Sequence, residues 1–295
     1  MKLQERIEAA IQAATGEAFG PGERRGAGGG CIHDAFLLGD GRRRYFVKIN
    51  DATAAAMFET EADALTELAR CGALRVPRPI THGEHQGQAF LVLEYVDLSG
   101  RGDRSSYRRL GEGLAHLHQA TASQHGWHRD NFIGSTLQPN GWWSDWVDFF
   151  REQRLRHQLR LAVDSGAGSR LRDRGERLAE RLGGLFAGYT PLPSLLHGDL
   201  WGGNAGFSAD GTPVIYDPAT YYGDRETDLA MSELFGGFPE PFHTGYDEVW
   251  PRDSGYPVRR DLYQLYHVLN HFNLFGGMYR SQAQRLIDRL LAELN

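Results

Sequence analysis

Apolar residues along this 295-residue chain recur at helical spacing in some stretches and form short continuous runs in others, which predicts an α+β protein. Leu3, Ile7 and Ile11 share one face of a helix ending near Gly16. Ala35–Leu38 and Tyr45–Ile49 flank Gly39-Asp40-Gly41 and read as a β-hairpin. Phe58, Ala62, Leu65 and Leu68 predict a helix over 52–70, stopped by Gly72. The segment 76–80 (VPRPI) reads as a proline-bounded link into a buried strand, Phe90–Tyr95. These elements form a small strand-rich unit with two helices, expected to span 1–96.

A polar, glycine-containing hinge (97–106) leads to a second unit, 97–295, that reads as mainly helical. Leu110, Leu114 and Leu117 line a helix over 107–120. Residues 125–143 look loop-like, and a helix carrying Trp146, Phe149 and Leu155 starts near Ser144. Leu171, Leu178, Leu182 and Leu185 mark another helix. Residues 195–217 read as a loop, a strand, an Asp210-Gly211 turn and a second strand running to Asp217. Gly236–Tyr256 reads as loop, and two helices near 258–275 and 281–294 close the chain.

Composition narrows the class. A net charge of −6 and a pI near 6.1 speak against a dedicated nucleic-acid binder. No apolar run reaches membrane-spanning length or resembles a signal peptide, so no membrane partner is expected. Two cysteines, Cys31 and Cys71, make no disulfide framework, which points to a reducing cytoplasm. Lysine occurs only at Lys2 and Lys48, and Lys48 sits inside an apolar strand of an arginine-rich chain. A compact ammonium there can reach a phosphate where a guanidinium fork is too wide.

The chemistry-bearing residues fall in a telling order. A glycine-rich stretch (20–30) precedes the strand lysine, and the backbone of Gly28, Gly29, Gly30 and Cys31 can approach an anion closely. Glu61 is placed to orient Lys48 from the following helix, with Glu59 as a competitor. Glu94, Tyr95 and Val96 stand where a nucleotide base would meet the backbone. His197-Gly198-Asp199 comes next, Asn204 follows Asp199 by five residues, and Asp217 closes a strand 13 residues beyond Asn204. Phosphoryl transfer needs alignment and charge neutralisation, and these residues supply both. Asp199 would accept the proton of the attacking hydroxyl. Asn204 and Asp217 would hold Mg2+ with ATP, His197 would brace the loop, and Asp228 would anchor it from behind. His128-Arg129-Asp130 imitates a protein-kinase HRD triplet but is rejected, because Ser135 stands where the asparagine is due.

HGD in place of HRD resembles the aminoglycoside and choline kinases. The longer run HGDLWGGN (197–204) is similar to the fructosamine kinase (ketosamine 3-kinase) family. So are GGGCI (28–32), YFVK (45–48), MFETEADAL (57–65), VPRPI (76–80), GWHRDNFIGSTLQPN (126–140), WVDFFREQRL (146–155) and YDPATYYGDRETDLAMSELFGGF (216–238). The resemblance implies a bilobal protein-kinase-like fold with a β-rich N-lobe and a helical C-lobe. It also implies ATP-dependent phosphorylation of the sugar 3-hydroxyl in ketosamines, on free amines or on protein lysines, leading to deglycation. Trp201 beside the catalytic aspartate can stack on a sugar, and Asn131, Gln138, Trp143 and Trp146 are further candidates for the acceptor wall. Cys31 on the phosphate loop suggests redox sensitivity, and the chain is expected to be a monomer or a Cys31-linked dimer. Kinases of other hydroxylated amines and a nucleotide-binding pseudokinase are the competing expectations.

Overall fold

The computed structural model describes residues 1–26 and 34–295. The expectations for Gly28, Gly29, Gly30 and Cys31 therefore lie outside the described residues. Helix α1 (Leu3–Thr15) packs Ile7 and Ile11 under a five-stranded antiparallel sheet of order β1-β2-β3-β5-β4. Its strands are β1 (Glu23–Gly26), β2 (Asp34–Gly39), β3 (Arg44–Asp51), β4 (Pro79–His85) and β5 (Gln88–Glu94). Strand β4 replaces part of the expected link. Its side chains are mostly half-buried or exposed, so no run of apolar residues announced it. Helix α2 (Ala55–Cys71) crosses the sheet and ends at Gly72, whose φ of 67° forms a left-handed cap.

From α3 (Arg104–His118) onward the chain is mainly helical. The aromatic segment 125–143, expected to be loop, folds into four short strands: β6 (His125–Trp127), β7 (Asn131–Ile133), β8 (Thr136–Gln138) and β9 (Gly141–Trp143). Runs of three residues are too short to show a period. Helix α4 (Trp146–Phe149) passes through a π-helical stretch, Phe150–Arg156, into α5 (His157–Asp164), and α6 (Ser169–Arg181) follows. Strand β10 (Ser194–Leu195) leads into the catalytic stretch, and β11 (Ala205–Phe207) and β12 (Pro213–Ile215) form the expected hairpin. Beyond β13 (Tyr222–Gly223) come α7 (Glu226–Ser232), α8 (Glu240–Val249), α9 (Tyr256–Phe275) and α10 (Tyr279–Glu293). Helix α8 corrects the loop expected over 236–256. Pro241 falls in its first turn, where a missing N–H costs nothing.

Two apolar cores matter for the site. One joins α2 and β5 to α3, α7 and α8 through Leu65, Leu91, Leu114, Leu229 and Phe242, so the sheet and the helical body are packed together. The other surrounds α9 with α4, α5, α6 and α10. No helix among the described residues is long and apolar enough to cross a membrane.

Candidate active site

Lys48 points from β3 into the space between sheet and helices. Its Nζ lies 2.7 Å from Glu61 Oε1 on α2 and 2.7 Å from Asp217 Oδ1. Lys48 is 5% exposed. Burial works against its charge, but the charges of Asp217 and Glu61 outweigh it and raise its pKa, so it stays an ammonium. Burial pushes the Glu61 carboxyl upward, with Lys48 opposing. The competitor is settled by geometry: Glu59 accepts from Arg129 at 2.9 Å, and burial has little hold on it.

The catalytic stretch is held from beneath. Asp228 on α7 accepts hydrogen bonds from the backbone N–H groups of His197 (2.7 Å) and Gly198 (2.8 Å). It also faces His118 Nε2 at 3.2 Å. These donors keep its pKa low although it is fully buried. His197 spans the loop: its Nε2 donates to the Tyr216 carbonyl at 2.9 Å, and its Nδ1 accepts from the Asp199 N–H at 3.2 Å. Both residues hold the loop through these hydrogen bonds. Gly198 has a φ of +85°, and a Cβ there would meet the Ala219 carbonyl oxygen at 2.1 Å. This is why glycine stands between histidine and aspartate.

Asp199 and Asn204 come together on this base. Asn204 Nδ2 donates to the Asp199 carbonyl (2.9 Å) and to Asp199 Oδ2 (3.1 Å), and it lies 3.5 Å from the Asp217 carbonyl. Its amide oxygen is thereby turned away from these partners. Burial, and then the Asp217 charge, push the Asp199 carboxyl up to about 7. Asp217 itself sits at φ +56°, a strained conformation for a residue with a side chain.

The rest of the expected site divides. Glu94 ends β5, with its carboxylate engaged by Arg75 (3.1 Å) and by the Arg78 N–H (3.3 Å); the Arg44 guanidinium covers the Tyr95 ring at 4.3 Å, and Val96 follows. Three acceptor candidates are corrected. Trp146 is 2% exposed, packs on Phe149 and Phe150, and donates to Tyr263 Oη at 3.0 Å; it is core. Asn131 is equally buried, donating to the Thr220 carbonyl (2.7 Å) and accepting from Gln138 and Asn140, so both Asn131 and Gln138 belong to an internal polar network. Trp143 is half-buried against the same core. An amphipathic residue type alone cannot say which way a ring points. The rejected triplet 128–130 is spent on surface contacts, with Arg129 bridging Glu59 and Asp63 and Asp130 accepting from the Asn140 N–H.

Trp201 does face solvent, at 37% exposure, with its ring folded over Gly203 so closely that a Cβ there would lie 2.4 Å from it. Phe235 stands edge-on at 6.4 Å from Trp201 and 4.4 Å from the ring of His271. Sequence reasoning missed this aromatic rim, since Phe235 and His271 are 34 and 70 positions from Trp201. It also missed His267 on α9, whose Nδ1 lies 3.9 Å from Asp199 Oδ1.

A strand lysine paired to a helix carboxylate, facing an aspartate-asparagine loop and a second aspartate across the sheet–helix junction, defines a kinase-like phosphotransferase. The comparisons agree and go further. The fructosamine kinase family model matches residues 3–293, and the chain belongs to that family. It is 48% identical over 282 residues to a probable ketoamine kinase of Synechocystis, covering 95% of this chain and 94% of the relative. It is 43% identical to the chloroplastic protein-ribulosamine 3-kinase of Arabidopsis thaliana, covering 90% and 82% of the two chains. A crystal structure from Haemophilus somnus 129PT, provisionally named fructosamine-3-kinase, superposes with a TM-score of 0.88 at 32% identity over 97% of this chain and 96% of that one.

Proposed function

We propose that this chain is an ATP-dependent ketosamine kinase that phosphorylates the 3-hydroxyl of a sugar joined to an amine. The observation that carries the reading is the meeting of Lys48, Glu61 and Asp217 at 2.7 Å contacts in front of the Asp199–Asn204 loop. The 48% identity to a ketoamine kinase and the 43% identity to a ribulosamine 3-kinase support the acceptor class. In this reading the lobes divide near residue 96, with nucleotide in the cleft between them.

Lys48, oriented by Glu61, holds the α- and β-phosphates. The end of β5 and the two residues beyond it, Glu94–Val96, meet the base. Asp199 takes the proton as the acceptor oxygen bonds to the γ-phosphorus and the bond from that phosphorus to ADP breaks. Asn204 and Asp217 offer hard oxygen donors that suit Mg2+. Among the described residues no three His, Cys, Asp or Glu side chains gather into a metal cage. Mg2+ held by Asn204 and Asp217 would be shared with substrate phosphates and would supply charge neutralisation there. The exposed face of Trp201 is offered to the sugar. A cytoplasmic setting, and a Cys31-linked dimer under oxidising conditions, complete the reading; their support is the sequence alone.

A coupled ADP-release assay with fructosyl-lysine and ribulosyl-lysine beside aminoglycoside acceptors tests the function. Turnover on either ketoamine is the expected result. Turnover on aminoglycosides alone would move the chain to the second class, and ATP binding without turnover on any acceptor would make it a pseudokinase.

A further inference from the structure

Helix α9 carries a histidine in a position that packing alone does not explain. His267 is fully buried, and neither ring nitrogen has a hydrogen-bond partner among the described residues. An unpartnered buried polar atom loses its hydration without compensation, so an apolar side chain would fill this space at lower cost. The helix gives His267 little freedom to find partners elsewhere. Tyr263 donates to Asp224 at 2.5 Å and Tyr266 donates to Gln138 Oε1 at 2.6 Å, fixing α9 in the turn that precedes the ring. Burial, against the opposing pull of the Asp228 charge, keeps the imidazole neutral, so one nitrogen carries a hydrogen to donate.

Across from Nδ1, at 3.9 Å, is Asp199 Oδ1. The other oxygen of that carboxylate, Oδ2, is held by Asn204 at 3.1 Å. Oδ1 has no hydrogen-bond partner among the described residues. One side of the carboxylate is therefore fixed, while the other faces an unpartnered ring nitrogen about 1 Å farther off than a usual hydrogen bond. Hydrogen bonds at catalytic groups are often long before the substrate is seated and tighten afterwards.

We infer that His267 is a positioning residue for Asp199, donating from Nδ1 to Oδ1 when the acceptor is bound and so fixing the plane of the carboxylate. This deepens the proposed function and rests on its assignment of Asp199 as the proton acceptor. The carboxylate still has lone pairs for the acceptor hydroxyl, because each oxygen carries two. The imidazole exchanges no proton. It acts by orientation alone, where a displacement of about 1 Å can cost on the order of 100-fold in rate.

The test compares His267→Leu, His267→Asn and His267→Gln in the coupled assay, alone and with Asp199→Asn. Leucine removes the donor, asparagine returns an N–H near the position of Nδ1, and glutamine places its amide nearer Nε2. Expected are a kcat loss of roughly 30- to 100-fold for His267→Leu with both KM values within about twofold, recovery to within about fivefold for His267→Asn, and no recovery for His267→Gln. In the Asp199→Asn background His267→Leu should slow the enzyme no further, because the group it positions is gone. Wild-type kcat in His267→Leu, equal rates for the Leu and Asn variants, or an additive loss in the double variant would overturn the inference. Should the leucine variant melt early, the Asn-to-Gln contrast carries the test. Should the wild type turn over no ketoamine, the proposed acceptor fails separately, and the same ranking is read from ATP hydrolysis with water as acceptor.

Discussion

The Lys48 ammonium lies 2.7 Å from the Asp217 carboxylate, although 169 positions separate the two in the chain. With Glu61 at the same distance, one buried cation is shared between two anions. Lys48 offsets one of the two negative charges, and each carboxylate depends on it. Removing one partner of a buried ion pair leaves an uncompensated charge.

The first expectation follows from the choice between two nearby carboxylates on α2. Glu61→Gln should lower turnover by roughly 10- to 100-fold by releasing Lys48 from its orienting partner. Glu59→Gln, which removes only a surface contact to Arg129, should change it less than about twofold. Steady-state kinetics of the two variants side by side decide it; equal effects would unseat the assignment.

Asp199→Asn should keep nucleotide binding and lose about 100- to 10,000-fold in kcat, the usual range for a missing proton acceptor. Isothermal titration with ATP and ADP-release kinetics separate the two properties. An unchanged rate would mean that another group takes the proton.

Gly198→Ala is expected to damage both stability and activity. The added Cβ would meet the Ala219 carbonyl at 2.1 Å, and the φ of +85° disfavours any side chain. A loss of about 3 kcal/mol or more is expected from strain and collision together, read as a lower denaturation midpoint.

In the proposed function the exposed face of Trp201 is offered to the acceptor. Trp201→Ala should raise the KM for a ketoamine by roughly two- to tenfold and leave that for ATP unchanged, since a stacked aromatic ring contributes about 0.5–1.5 kcal/mol. Equal KM values for the sugar would remove Trp201 from the acceptor site.

Acid should destabilise the fold through its buried neutral histidines. His125, packed on Trp146 at 5.3 Å, has a pKa lowered by burial to about 4 from an ordinary value of 6.5. Between those values the unfolded chain binds a proton that the folded chain does not, so stability falls as pH drops from 6.5 toward 4. Burial lowers His118 and His197 in the same direction. His125→Phe, which keeps a ring and does not titrate, should flatten this decline. Denaturation midpoints at pH 7.5 and pH 5 for both proteins test it, and parallel curves would show that His125 is not involved.

Much of this was legible in the sequence because it is local. Helix periodicity, the Gly72 stop, the hairpin around Gly39–Gly41 and the five-residue step from Asp199 to Asn204 are all written within a few residues of one another. Lys48 stood out because lysine is so scarce here, and the spacing around Asp130 was enough to set aside the false HRD. Ring orientation was not legible. Trp146 and Trp201 look alike as letters, yet one is held in the core by Tyr263 and the other lies open over Gly203. Asn131 was drawn inward by Gln138, Asn140 and the Thr220 carbonyl, partners that only folding assembles. The sequence by itself determined which chemical groups this protein carries and in what order. Tertiary structure decided which of them meet: Lys48 with Asp217, Asp228 with the loop it holds, His267 with Asp199. Those contacts join positions 30 to 169 residues apart, and distances of that kind are set by packing of whole elements, not by any local pattern.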